Sequence, residues 1–189
     1  MEHSKIEWTE STWNPRIGCT EVSPGCDHCY ARRITQRFPA TYPNGFKLMM
    51  REHALELPLR WKAPRRIFVN SMSDLCHADV PDAFIARVFD VMSRAPQHEF
   101  QILTKRAERL ARLASRLPWP SHVWMGVSVE QKDYFWRIHY LRRVPAAVRF
   151  VSAEPLLGSA LVRESEPAHN DPNPQARHLP MAYDAGPPR

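Results

Sequence analysis

Three of the four cysteines lie close together near the start of the chain. Cys19, Cys26 and Cys29 have a C-x6-C-x2-C spacing, whereas Cys76 is far away in the sequence. Cys26 and Cys29 are three residues apart, so one helical turn can present both thiolates to one point. Pro24-Gly25 supplies a turn that can fold Cys19 back toward them. Three convergent thiolates predict a metal centre.

The spacing leaves the kind of metal open. An iron–sulfur cubane held by three cysteines keeps one iron without a protein ligand, where a substrate or cofactor can bind. A structural zinc ion usually has four ligands, and His28, Cys76 and His77 are the candidates for the fourth. A third alternative is that the thiols bind no metal and act as small hydrophobic side chains. For Cys76 itself we expect a free thiol rather than a ligand.

Composition and charge restrict the class of protein. Hydrophobic residues make up 43% and charged residues 24% of the 189 residues, which is typical of a soluble globular domain. No apolar run reaches the length of a membrane span, and the polar N-terminus is not a secretory signal, so we expect a cytoplasmic protein without a membrane partner. In that compartment clustered thiols favour metal or redox chemistry over disulfides. The net charge of +6 permits a nucleic-acid partner.

Elements that would position the cysteines follow from the apolar pattern. Short apolar runs alternate with helical periodicity, which predicts βαβ units and a parallel sheet. The predicted strands are residues 14–20, 65–72, 99–105, 123–129 and 148–157. The predicted helices are residues 26–38, 81–95, 106–117 and 130–143. A long connection, residues 39–64, contains a turn signal at Asn44-Gly45.

Polar residues follow each predicted strand. Because the carboxyl ends of parallel strands meet at one edge, we expect these side chains to surround one mouth together with Cys19. Each of them taken singly is also compatible with an ordinary strand end or helix cap. The set consists of Asn70, Ser71, Ser73, Asp74, Lys105, Ser128, Glu130 and Glu154.

Two groups of basic residues are candidates for nucleic-acid contact. The first group forms a stripe at helical spacing and consists of Lys105, Arg109, Arg112 and Arg116. For this stripe we favour a solvated helix face, with Glu108 and Arg112 as an ion pair. The second group precedes residue 67, contains Trp61 as a stacking surface, and consists of Arg60, Lys62, Arg65 and Arg66.

Five separate motifs carry a resemblance to a known family. In order they are "SKIEWTESTWNPRIGCTEVSPGCDHCYA", "RIFVNSMSDL", "QILTKR", "GVSVE" and "RFVSAEPLLG". Over roughly residues 4–158 the chain resembles a bacteriophage-associated family of unassigned function, labelled phage gene product thirty-seven/sixty-eight proteins. The three-cysteine loop and the strand–helix order also resemble radical S-adenosylmethionine enzymes, including the lyase that repairs spore DNA photoproducts. Those enzymes usually have a C-x3-C-x2-C loop.

The resemblance implies a fold, two cofactors and a reaction class. The fold would be a partial parallel (β/α) barrel of the radical S-adenosylmethionine type, with about five strands over residues 1–162. Cys19, Cys26 and Cys29 would hold a [4Fe-4S] cluster, and the strand-end residues would bind S-adenosylmethionine. Glu130 or Glu154 would contact its amine or ribose, and Lys105 its carboxylate. An active enzyme would need an electron donor, and nucleic acid is the expected substrate.

The last part of the chain predicts an incomplete form of this fold. Residues 163–189 are rich in proline and lack an apolar period, so we expect a disordered tail in place of a further strand. The strand over 148–153 would then be an edge, and turnover would be weak or absent. Two alternative functions stay open: a non-catalytic nucleic-acid-binding protein stabilised by zinc or a cluster, and an inactive truncated remnant.

Overall fold

A computed structural model describes residues 6–158, which form seven strands and five helices. The strands are β1 (Ser11–Trp13), β2 (Arg16–Ile17), β3 (Met49–Met50), β4 (Arg66–Val69), β5 (Glu99–Thr104), β6 (Val123–Ser128) and β7 (Val148–Ser152). The helices are α1 (Tyr30–Arg37), α2 (Glu52–Leu55), α3 (Asp82–Ser93), α4 (Ala107–Ala114) and α5 (Trp136–Leu141). The predicted boundary at residue 162 and the predicted tail over 163–189 lie outside the described residues.

The main sheet has five strands in the order β1-β4-β5-β6-β7, and every neighbouring pair is parallel. This confirms the predicted α/β class with a five-stranded parallel sheet. The described strands form an open sheet in which β1 and β7 are the edges. Within residues 6–158, none of the helices combines the length and the apolar character needed to cross a membrane.

The first strand of this sheet differs from the prediction. It is β1 rather than residues 14–20, and β2 instead pairs antiparallel with β3 in a separate two-stranded sheet. Pro15 has no N–H to contribute to a ladder, so the parallel pairing with β4 ends before it. Trp13 anchors β1, because its buried indole Nε1–H donates to the carbonyl of Ala54 at 2.8 Å.

The four predicted helices are present, but all are shorter than expected, the first and the last most of all. Residues 24–26 form a 3-10 turn, so α1 begins only at Tyr30. Residues 132–134 form another 3-10 turn, which leaves α5 with six residues of the fourteen predicted. The long connection contains α2, and Gly45 in its predicted turn has a φ of 57°.

One face of the main sheet carries the principal core. Alternate residues of the central strands, such as Ile67, Phe100 and Met125, are fully buried and belong to one apolar cluster with side chains of α3, α4 and α5. A sequential order of parallel strands with right-handed crossovers puts the connecting helices on the same face. Phe68, which points to the opposite face, is covered by Trp8, with ring centroids 4.7 Å apart. The helices α3, α4 and α5 therefore lie on one side of the sheet.

We expect Gly126→Ala to lower the free energy of unfolding by about 1–3 kcal/mol, through overpacking. Gly126 pairs with Phe150 across β6 and β7, and a Cβ at residue 126 would lie 2.5 Å from the ring. Urea denaturation measures the loss. Adding Phe150→Leu to the same chain should recover part of the stability. An unchanged midpoint in the single variant would contradict this packing.

Candidate functional site

The loop that carries three cysteines, residues 18–29, crosses the carboxyl ends of the central strands. We refer to it as the cysteine loop. Its first residue, Gly18, forms a parallel bridge with Ser73 just beyond β4. Further along, the hydroxyl of Ser23 donates to the carboxylate of Glu130 just beyond β6. At the loop's end the Tyr30 hydroxyl donates to the carbonyl of Ser71. The loop is therefore attached to the sheet at several points.

Gly18 is required at the start of this loop. Its φ is 87°, a conformation that L side chains rarely adopt, and a Cβ there would lie 2.2 Å from the carbonyl oxygen of Lys47. The turn before β3 therefore packs directly on the backbone next to Cys19. Together they border an open cleft of about 690 Å³, whose lining includes Cys19 and His77.

The structure places the predicted metal ligands on one loop but does not gather them into a site. Cys19, Cys26 and Cys29 are free and partly exposed. Among residues 6–158, no three His, Cys, Asp or Glu side chains are grouped closely enough to hold a metal ion. Arg106 donates from Nη1 to Cys19 Sγ at 3.4 Å. Burial nevertheless raises the pKa of the Cys19 thiol, with Asp74 adding to the rise.

The three candidates for a fourth ligand are poorly suited to that role. Cys76 is a buried thiol, and burial raises its pKa to about 12. His77 is buried and both of its ring nitrogens are engaged: Nδ1 accepts from the Asp79 N–H at 3.1 Å, and Nε2 lies 2.8 Å from Thr20 Oγ1. His28 is exposed on the loop surface.

Asp74 is the most highly connected of the predicted site residues. Its carboxylate accepts hydrogen bonds from the hydroxyl of Thr104 at 2.7 Å and from the backbone N–H of Lys105 at 3.0 Å. It also accepts one from the backbone N–H of Cys76 at 2.9 Å and forms an ion pair with Arg106 at 2.9 Å. Asp74 therefore joins the ends of β4 and β5 and has little capacity left for a ligand.

Two further predicted residues lie between Asp74 and β4. Asn70 is 2% exposed and has a φ of 62°, and neither its amide nitrogen nor its amide oxygen has a hydrogen-bond partner among the described residues. Ser71 is hydrogen-bonded to the side chain of Asn14. The side-chain oxygen of Asn14 also accepts a hydrogen bond from the Met72 N–H at 2.9 Å. The amide of Asn70 is therefore a buried polar group of this edge without a hydrogen-bond partner among the described residues.

Glu130 is committed to a buried ion pair. Its carboxylate lies 2.6 Å from Arg137 Nη1, and both side chains are almost completely buried. The same Nη1 donates to the carbonyl of Ser128 at 2.8 Å. A Cβ at Gly25 would lie 2.8 Å from Glu130 Oε1, so the cysteine loop packs closely over this carboxylate. The geometry gives Glu130 a positioning role.

The remaining predicted residues also follow strand ends but differ in environment. The hydroxyl of Ser73 donates to the carbonyl of Arg16 at 3.1 Å. The side chain of Lys105 is partly exposed, and Glu154, beyond β7, is exposed. Hydrogen bonds connect the cysteine loop with the ends of β4, β5 and β6. In the described part of the chain, Glu154, which follows β7, makes no hydrogen bond to the loop.

Three arginines of this edge were not predicted from the sequence. Arg16 is fully buried and donates to the carbonyls of Asp74 and Gly18, and burial lowers its pKa to about 10. Arg106 lies two residues beyond β5, and Arg137 lies in α5. An arginine close to a predicted strand end is the signal that would have identified Arg106.

The predicted basic stripe is largely engaged within the protein. Arg109 and Arg116 both pair with Asp82 at the start of α3, at 2.7 and 3.1 Å. Arg109 also donates to the carbonyls of His77 and Val80. These two arginines therefore connect the α4 region to α3. Arg112 instead lies on a solvated helix face, where its ion-pair partner is Glu108, 3.7 Å away.

Comparison with known proteins adds one result. Residues 3–165 match a family described as a protein of unknown function, DUF5131. The chain belongs to the DUF5131 family. No curated protein and no solved structure matches it. The matched region spans the cysteine loop and all five strands of the main sheet. The family description names no function, so the phage association and the radical chemistry stay predictions.

We expect Glu130→Gln to lower the free energy of unfolding by about 3–5 kcal/mol, because it leaves the buried charge of Arg137 without its partner. Chemical denaturation measures the change. Glu108→Gln is the matched control, since its ion pair with Arg112 is exposed and should contribute about 0.5 kcal/mol or less. Similar losses in both variants would show that the Glu130–Arg137 pair is not structurally important.

A second prediction concerns thiol reactivity. The pKa of Cys76 is raised from 9.0 to about 12, which lowers its thiolate fraction at neutral pH about a thousandfold. Iodoacetamide followed by mass spectrometry should therefore label Cys26 and Cys29 in the folded protein long before Cys76. Unfolding in urea should make all four thiols react. Labelling of Cys76 at the rate of Cys26 in the folded protein would contradict its burial.

Proposed function

We propose that this protein is an iron–sulfur protein of the radical S-adenosylmethionine type, in which Cys19, Cys26 and Cys29 hold a [4Fe-4S] cluster. One observation carries the proposal. Three free thiols lie on a single loop that crosses the carboxyl ends of β4, β5 and β6. Parallel α/β proteins place their reactive centres at this edge.

The chemistry of the donor set fits a cluster better than it fits zinc. Three thiolates without a suitable fourth ligand match a cubane that keeps one iron open. Of the three candidates for the fourth ligand of a zinc site, Cys76 and His77 are buried or engaged, and His28 is exposed on the surface of the loop. The thiols are not grouped in the described structure, so the proposal requires the metal to draw the loop together on binding, as metals commonly do.

The arrangement of the sheet supports a partial (β/α) barrel. The strand order follows the chain, and the core that joins the central strands to α3, α4 and α5 lies on one face. A doubly wound sheet would carry helices on both faces. We therefore propose that the five strands are part of a barrel wall, with the opposite face as the inner surface.

Specific polar groups would hold S-adenosylmethionine at this edge. Asn70 is the best suited, because its buried amide has unused donor and acceptor capacity. Ser71, Ser73, Lys105, Ser128 and Glu154 complete the proposed set. Asp74 and Glu130 act by positioning, since the protein's own groups already bind their carboxylates. Once bound, the two cofactors supply one-electron chemistry that removes a hydrogen atom from a substrate.

Nucleic acid is the proposed substrate class, and it rests on the net charge of +6. Since Arg109 and Arg116 are paired with Asp82, phosphate contacts are expected instead from Arg112 and from the basic residues before β4. An electron donor is the other partner that this proposal requires.

Anaerobic reconstitution with iron and sulfide tests the proposal. The wild-type chain should bind about four iron atoms with matching sulfide, as a cubane requires. Cys19→Ala, Cys26→Ala and Cys29→Ala should each lose most of the iron, because each removes one of three ligands. Iron and sulfide analysis per chain is the measurement.

Cys76→Ala is the matched control and should keep its iron. Equal iron loss in this variant would point to a four-ligand site, and stoichiometric zinc without iron would favour the nucleic-acid-binding alternative. Calorimetry then tests the cofactor. S-adenosylmethionine should bind the loaded protein and not the iron-free protein, because the open iron anchors it. Equal affinity in both forms would show that the pocket does not use the cluster.

A further inference from the structure

A surface next to the cysteine loop combines basic and aromatic side chains of α1 and of the connection that follows it. We refer to it as the α1 surface, and it consists of Tyr30, Arg33, Arg37, Phe38 and Lys47. Residues 18–51 contain five Lys or Arg and two Asp or Glu side chains, so they carry half of the net charge of +6. Four of the seven exposed large apolar side chains of the described residues lie in the same stretch. An exposed apolar patch among charged residues indicates an interaction site.

The packing of α1 directs its arginines away from the protein. Ala31 and Thr35 are the buried residues of this helix, and Ala31 belongs to a small apolar cluster with Ile17. Residues that are four apart lie on the same side of a helix with 3.6 residues per turn. Arg33 and Arg37 are such a pair, they lie opposite the buried side, and both are exposed.

No carboxylate pairs with these two arginines within residues 6–158. Arg33 donates from Nη2 to a backbone carbonyl of the cysteine loop at 2.9 Å, and the guanidinium carbon of Arg37 lies 5.5 Å from the centroid of the Phe38 ring. Neither contact supplies a negative charge. The neighbouring Arg32 differs, because it forms an ion pair with Glu21. Arg33 and Arg37 therefore keep the capacity to bind phosphate groups.

Two half-exposed aromatic side chains lie at the two ends of α1. Tyr30 is 50% exposed and Phe38 is 49% exposed. The hydroxyl of Tyr30 donates to the carbonyl of Ser71, which holds the ring in place at the edge of the sheet. A rise of 1.5 Å per residue separates the two residues by about 12 Å along the helix, which three or four stacked nucleotides span at about 3.4 Å each. Exposed rings of this kind are stacking platforms for bases.

The α1 surface continues into the open cleft beside Cys19. Arg32 lines this cleft together with Phe46 and Lys47 of the connection, and its guanidinium carbon lies 5.8 Å from the centroid of the Phe46 ring. Lys47 is exposed and has no ion pair among the described residues. Asp79 is the one acidic residue in the described lining. The volume of about 690 Å³ is within the range of ligand pockets and accommodates one nucleotide.

We propose that the α1 surface binds single-stranded nucleic acid and leads one nucleotide of the strand into the cleft beside Cys19. Arg33, Arg37 and Lys47 would bind the phosphates, and the bases would stack on Tyr30 and Phe38. Paired bases in a duplex do not offer their faces to these rings, so the surface favours a single strand. Binding stands on the geometry of this surface, whereas the delivery of a nucleotide to Cys19 rests on the proposed function.

Fluorescence anisotropy of the full chain with a labelled thymidine oligomer of about 15 nucleotides tests the proposal. Thymidine and uridine oligomers should bind more tightly than duplex DNA of the same length and than inorganic polyphosphate. Phe38→Leu should weaken binding of the thymidine oligomer about tenfold, because it removes a stacking platform and keeps an apolar side chain. Arg33→Gln and Arg37→Gln should each reduce the slope of log K against log salt by about 0.7, because each removes one phosphate contact.

Arg143→Gln is the matched control. Arg143 is exposed, and its guanidinium carbon lies 5.6 Å from the centroid of the Tyr140 ring, so it resembles Arg37 on Phe38 but follows α5. This variant should keep the affinity and the salt slope of the wild type. Arg37→Lys keeps the charge and should keep the slope, which distinguishes a lost phosphate contact from a folding defect.

Three outcomes would overturn the proposal: no binding of either single strand at about 50 mM salt, equal affinity for duplex and single strand, or an equal effect of Arg143→Gln. The iron-free protein should bind the strand as well as the iron-loaded protein does. Strand binding in a chain that forms no cluster would therefore support the α1 surface and contradict the iron–sulfur proposal. A chain that forms the cluster and binds no strand would do the reverse.

Discussion

The ion pair of Asp74 and Arg106 is the interaction on which the candidate site depends. Asp74 joins the end of β4 to the end of β5, and Arg106 extends from the same carboxylate to Thr20 and to the sulfur of Cys19. Hydrogen bonds to charged groups contribute about 1.5–3 kcal/mol each, so this small group of contacts outweighs any single neutral bond in the loop. Through this carboxylate, Arg106 attaches Cys19 and Thr20, at the start of the cysteine loop, to the central strands.

A second ion pair also attaches the cysteine loop to the sheet, at the end of the neighbouring strand β6. Glu130 and Arg137 are buried together beyond β6, and Ser23 brings the loop onto that carboxylate. Two of the three acidic residues that follow strand ends, Asp74 and Glu130, are therefore engaged in fixing the loop. Glu154 is exposed, and the amide of Asn70 has no hydrogen-bond partner among the described residues. In the proposed site, the carboxylates that hold the loop are thus separate from the groups that would contact a ligand.

Sequence reasoning succeeded where a local pattern determines the structure. The four later strands are short apolar runs between amphipathic helices, and the polar residues after them share an edge because parallel strands point the same way. It failed at the first strand, since Ser11 and Thr12 look polar and only the burial of Trp13 against Ala54 reveals β1. It also missed Arg16, Arg106 and Arg137. An arginine becomes buried only when distant carbonyls and carboxylates surround it, and no local pattern records those partners.

The pairing of β1 with β4 has a consequence for how the chain assembles. Ser11 pairs with Ile67, whereas Phe100 pairs with Val123, so the first contact spans more than twice the sequence separation of the second. Closing the longer loop costs roughly 0.8 kcal/mol more chain entropy. Strands β4 to β7 are joined by the shorter crossovers, and three of the four cysteines, Cys19, Cys26 and Cys29, lie inside the longest one. The crossover that contains the cysteine loop is therefore also the one whose closure costs the most chain entropy.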